Sequence, residues 1–140
     1  MPTAEEYVQE AREWIGTPFV HANHTKGVGC DCLGLVIGAA HNVGLTDYWP
    51  PPYAPETELS VSDIEAMLTV LTVPILAVWQ PGDVVWIRMK RFFPNHCGVW
   101  TGEGTFIHCY QSAGQVCESP LEDFWKSRIV GVYRWKGLDG

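Results

Sequence analysis

No stretch of this 140-residue chain approaches the ~20 consecutive apolar residues that a membrane-spanning helix requires. Positive charge is scarce. Nine Lys and Arg stand against 16 Asp and Glu, for a formal net charge of −7 and a pI of about 5.1. That balance offers no basic face for nucleic acid and no polybasic patch for an anionic membrane. The opening residues Met1-Pro2-Thr3-Ala4-Glu5-Glu6 are acidic and lack the apolar centre of a signal peptide. The expectation is a protein made and kept in the cytoplasm unless something else carries it out. An even set of cysteines is also missing. The five are Cys30, Cys32, Cys97, Cys109 and Cys117, and an odd count without a leader disfavours a disulfide framework. The plain reading of any one of them is a small buried hydrophobe.

What is present is enough for a core. Hydrophobic residues make up 46% and charged residues 18%, which is globular rather than disordered composition. The length suggests a single domain over 1–140, and a domain of this size buries roughly 65–70% of its unfolded surface. Residues 3–15 read as a helix capped by Thr3, with Glu5 and Glu6 at its positive end and Tyr7, Ala11, Trp14 and Ile15 on one face. Gly16-Thr17-Pro18 stops it, and 17–31 reads as a loop. A second helix should start near Asp31-Cys32, bury Leu33, Val36, Ile37, Ala40 and Val43, and end at Gly44. A Pro-rich loop over 46–60 is too long for a passive connector. A short helix capped by Ser60 or Ser62 should run to about Leu71. The period then changes. Strands are expected at 84–87, 96–100, 105–110, 115–118 and 129–135, with a helical turn over 121–126. Helices first and strands second predict an α+β domain, with N-terminal helices on a C-terminal antiparallel sheet.

The most informative stretch is Gly29-Cys30-Asp31-Cys32-Leu33-Gly34-Leu35. It sets a cysteine in the first turn of a helix, where partial positive charge and unpaired N–H groups stabilise a thiolate and can hold an oxyanion. Gly34 lets substrate or neighbouring backbone approach closely. A reactive cysteine needs a base. His96 and His108 lie on strands joined by the turn at Gly102, so a hairpin would set them side by side. One imidazole could then face the thiol while the other orients it.

In order along the chain, Gly16-Thr17-Pro18-Phe19, Asp31-Cys32-Leu33-Gly34, Pro81-Gly82-Asp83-Val84-Val85, His96-Cys97-Gly98-Val99-Trp100 and Phe106-Ile107-His108 resemble the motifs of the NlpC-type cell-wall peptidases. The resemblance covers about residue 5 to 134. It implies a papain-like fold, with Cys32 as nucleophile, His96 as base and His108 as orienter. The implied reaction is hydrolysis of an amide in the peptide stem of peptidoglycan, between D-glutamate and a diamino acid. The run Lys26-Gly27-Val28-Gly29-Cys30-Asp31-Cys32-Leu33-Gly34 is most similar to the branch found in tailed phages and gene transfer agents. That implies phage tail proteins as partners and delivery to the wall by tail assembly or lysis. Two residues depart from the family pattern: Leu33 replaces a serine, and Phe19 replaces a tyrosine whose hydroxyl would reach the site. His21 is the expected substitute for that hydroxyl.

Each role has a plainer competitor. Asp31 beside Cys32 has the chemistry of a helix cap, and the loop histidine His21 that of a solvated side chain. His24 and His41 read as surface residues, Trp14, Trp86 and Trp135 as core, and Trp49 and Tyr53 as lining of a substrate groove. Cys30 could be a resolving thiol for Cys32. A zinc module is disfavoured: His96 and Cys97 should point to opposite faces of a strand, and no pair has the Cys-x₂₋₄-Cys spacing. No metal or organic cofactor is expected. The rivals are an amidase or acyltransferase on another amide or lipid with the same dyad, and a non-catalytic tail-tip module.

Overall fold

The computed structural model describes residues 1–50, 69–89 and 96–140. Helix α1 (Ala4–Arg12) starts where the Thr3 hydroxyl accepts the Glu6 N–H at 3.1 Å, with two acidic residues in its first turn. It ends earlier than the apolar spacing predicts. Glu13 to Thr17 continue in tighter i→i−3 hydrogen bonds, and Gly16 N–H then bonds the Val116 carbonyl. Trp14 is buried as expected, but Ile15 turns outward and is 46% exposed. Two short strands, β1 (His24–Thr25) and β2 (Gly29–Cys30), form a hairpin inside the expected loop. Helix α2 (Cys32–Asn42) follows at once, and every residue from Leu33 to Ala40 is buried. A helix apolar all round must lie in the middle of the molecule.

The remaining elements form one six-stranded antiparallel sheet: β3 (Thr72–Pro74), β4 (Val84–Ile87), β5 (His96–Trp100), β6 (Thr105–Cys109), β7 (Val116–Pro120) and β8 (Ile129–Trp135), in spatial order β3-β8-β4-β5-β6-β7. Helix α3 (Asp123–Lys126) lies between β7 and β8. Strand β3 sits just before the point where a change of period was expected. The predicted helix ending at Leu71 is described only in residues 69–71, and the rest of it, like Tyr53, lies outside the described residues. Strand β4 reads Val-Val-Trp-Ile without alternation because both of its faces are covered.

Alternate residues serve two cores. Val84, Trp86, Cys97, Val99, Ile107, Cys109 and Val116 pack under α1 and α2. Val85, Ile87, Phe106 and Val132 pack on the other face with Leu121 and Trp125. A buried relay joins the helices to the last strand. Trp135 Nε1 donates to Tyr7 Oη at 3.0 Å, and Tyr7 Oη donates to the Val36 carbonyl at 2.9 Å. The helices-on-sheet order is the α+β arrangement expected from the sequence.

Candidate functional site

Cys32 is the first residue of α2 and is half-buried. Asp31 caps the helix: one carboxylate oxygen accepts Gly34 N–H at 2.8 Å and the other accepts Ala22 N–H at 2.9 Å. The same carboxylate therefore fastens the 21–23 turn to the start of α2. Asn23 closes the clamp, its carbonyl accepting Asp31 N–H at 3.2 Å. A Cβ on Gly34 would overlap that carbonyl, so the small residue serves a neighbouring backbone. Ala22 takes a φ of 59°, a left-handed conformation that costs an L-residue roughly 1–2 kcal/mol. The turn is thus held under tension next to half-buried His21. Phe19 lies alongside Cys30 and packs on the core beneath the helices.

His96 opens β5 and His108 lies on β6, where Gly98 pairs with His108 in register. A Cβ on Gly98 would crowd Phe106 and His108, so glycine there makes room for the second imidazole. His96 Nε2 and His108 Nδ1 share a 2.9 Å hydrogen bond. His108 Nε2 is 2.8 Å from Ser119 Oγ and 3.7 Å from Cys117 Sγ. Both rings are buried among aromatics. Trp125 lies 5.7 Å from the His96 ring and 4.9 Å from the His108 ring, and Tyr110 stacks on His108. Burial, then the neighbouring His108, depress His96 to about 3, and burial depresses His108 to about 4. At neutral pH both imidazoles are uncharged, and the direction of the hydrogen bond between them decides whether His96 Nδ1 carries a proton or a lone pair.

On the Cys32 side lies Cys97, which the sequence reading weighed only as a buried hydrophobe or a zinc ligand. Cys97 points to the opposite face from His96, under α2. Its interaction with the Cys32 thiol, and then burial, push the Cys97 thiol well up, so it remains protonated. Cys32 thus lies against the chain neighbour of His96. Among the described residues no hydrogen bond joins Cys32 to His96 directly. Cys30 is fully buried, and the Cys109 thiol donates to its carbonyl at 3.4 Å. The Cys30 sulfur is closed off from solvent and lies against Cys109 of β6. Among the described residues no group of three His, Cys, Asp or Glu side chains could hold a metal ion.

The surroundings bring one correction. Trp49 stacks between His24 and His41, each ring pair 3.8 Å apart, and His41 Nε2 bonds the Tyr48 carbonyl at 2.8 Å. His41 is therefore a half-buried packing residue rather than a surface one. The sequence reading also missed Ser119 and Trp125. The link of Ser119 to His108 follows only from the β6–β7 register, in which Cys117 faces His108 and Ser119 faces Phe106, while Trp125 reaches the ring from α3.

The two layers of helix and antiparallel sheet, with a cysteine opening the central helix and paired imidazoles on adjacent strands, define a papain-like α+β domain. The model of the NlpC/P60 family matches residues 16–134, and the chain belongs to that family. Gamma-DL-glutamyl hydrolase of Bacillus subtilis is 31% identical over 132 residues, covering 94% of this chain and 29% of that protein. The probable peptidoglycan endopeptidase LytE of the same organism is 25% identical over 134 residues, covering 91% of this chain and 33% of that protein. The chain thus spans about a third of the length of these curated relatives. Among solved structures, NlpC1 from Trichomonas vaginalis superposes with a TM-score of 0.74 at 16% identity, over 94% of this chain and 44% of that one.

Proposed function

We propose that this domain is a cysteine endopeptidase that hydrolyses an amide in the peptide stem of bacterial peptidoglycan. The observation that carries the reading is the presence, in one NlpC/P60 domain, of a first-turn cysteine on α2 and a neutral, hydrogen-bonded imidazole pair on the adjacent strands β5 and β6. His96 Nε2 is engaged by His108, which leaves Nδ1 to take the thiol proton. Cys32 attacks the amide carbon, and the carbonyl electrons move onto oxygen. The Cys32 N–H, which has no intrahelical acceptor at this position, holds the oxyanion, assisted by His21. The intermediate collapses, the C–N bond breaks, and His96 returns the proton to the leaving amine. Water, deprotonated by His96, then releases the acyl group from sulfur. Catalytic hydrogen bonds are commonly long before substrate binds, so the lack of a direct Cys32–His96 hydrogen bond is compatible with this cycle.

The proposal extends to the bond between D-glutamate and a diamino acid, in keeping with the name of the glutamyl hydrolase relative. It extends also to a phage-tail or gene-transfer-agent origin, on the 26–34 motif. In that case the enzyme is cytoplasmic as synthesised, partners tail proteins, and reaches the wall with the particle or at lysis. The test is incubation of purified wall fragments with the wild type and Cys32→Ala, with products read by mass spectrometry. New termini in the stem peptide from the wild type alone are expected. The missing Cys32–His96 hydrogen bond favours a second reading, a non-catalytic tail-tip module. No cleavage by either protein, with retained binding to the fragments, would establish that reading instead.

A further inference from the structure

A neutral imidazole has one N–H and one lone pair, so the chain His96–His108–Ser119 can be protonated in two ways. In the first, His96 Nε2–H donates to His108 Nδ1 and His108 Nε2–H donates to Ser119 Oγ, across 2.9 and 2.8 Å. His96 then carries its lone pair on Nδ1. In the second, Ser119 O–H donates to His108 Nε2, His108 Nδ1–H donates to His96 Nε2, and His96 Nδ1 already bears a proton. Only the first leaves His96 able to accept one from a thiol. It also keeps both rings in the Nε2–H form, the more stable form of free histidine. The hydroxyl proton of Ser119 is then free to turn toward Cys117 Sγ, 3.7 Å from Oγ.

We propose that Ser119 is a positioning residue for the base. By accepting from His108 Nε2–H it holds the second ring with Nδ1 as an acceptor, and through that ring it keeps the lone pair of His96 on Nδ1. The arrangement does without a carboxylate. His108 is fully buried, and without an acceptor at position 119 its Nε2–H would lose its strong partner, leaving only the weakly accepting Cys117 sulfur. The ring then gains by moving its proton to Nδ1, which reverses the hydrogen bond to His96 and protonates the nitrogen that must be free.

The kinetic consequence rests on the peptidase reading; the protonation pattern does not. Nitrogen-15 spectra of the histidines in the whole chain at pH 7 should show His96 and His108 both as Nε2–H tautomers. In Ser119→Ala, His108 should change to Nδ1–H. On stem-peptide fragments kcat should fall on the order of tenfold or more, a part of the ~10²–10⁴ that general base catalysis supplies, while KM stays within about twofold. Ser119→Thr, which restores a hydroxyl, should recover both the tautomer and kcat. His108 as Nδ1–H in the wild type would overturn the proposal. So would Ser119→Ala with an unchanged tautomer, or a Ser119→Thr variant that fails to restore it. A wild type that cleaves no wall peptide would sink the peptidase reading, and the spectra would still decide the role of Ser119.

Discussion

At the residue scale the five thiols are not equivalent. Cys30, Cys97 and Cys109 are sealed, while Cys32 and Cys117 are half-buried. Iodoacetamide applied to the folded chain at neutral pH should therefore modify Cys32 first and Cys117 more slowly, as read by peptide mass mapping. Alkylation of the other three would require unfolding. Cys97→Ala removes a thiol that can only donate toward the Cys32 sulfur. Alkylation of Cys32 should change severalfold in rate in that variant, since the hydrogen bond between the two sulfurs is lost.

At the scale of elements, the turn before β4 is held by one ion pair. Asp83 is completely buried, and Arg134 of β8 grips it with Nε at 2.8 Å and Nη2 at 2.9 Å. Gln80 N–H also donates to the carboxylate at 2.8 Å. Asp83→Ala leaves a guanidinium and an amide without their acceptor. It should cost about 3 kcal/mol in urea denaturation, the low end for a broken buried pair because Arg134 is a quarter exposed. The sheet itself was largely legible. Runs of β-branched and aromatic residues between Gly and Pro punctuation mark β4, β5 and β8 with the bounds the structure gives them. The helix starts were equally plain, because Thr3 and Asp31 carry their own capping chemistry. Strands β1, β2 and β3 were not legible, since two- or three-residue strands carry no period and exist only through their partners. The site was legible as residue types and lost at the level of register. Period 2 places His96 and Cys97 on opposite faces, but only the packing of α2 decides which of the two meets Cys32.

At the scale of the whole molecule the imidazole pair makes stability depend on pH. Both histidines have depressed values in the folded state, so between about pH 3 and the ordinary histidine value of about 6.5 the unfolded chain binds more protons than the folded one. The stabilisation is fully present above about pH 6.5 and is lost as pH falls toward the folded-state values. The urea midpoint should drop steeply from pH 7 to pH 4. In a His96→Asn, His108→Asn double variant that part of the slope should disappear, each unit of depression being about 1.4 kcal/mol of linkage.

The phenol of Tyr7 accepts from the last strand and donates to the second helix, at 3.0 and 2.9 Å. One oxygen atom thereby makes residues 7, 36 and 135 a single cooperative knot, tied 128 positions apart along the backbone. Tyr7→Phe would strand an indole N–H and a peptide oxygen in hydrocarbon, at about 1–3 kcal/mol for each unsatisfied group. Native-state hydrogen exchange would then show α1, α2 and β8 opening together, more often than in the parent protein, and no smaller fragment of the chain keeping its protection alone.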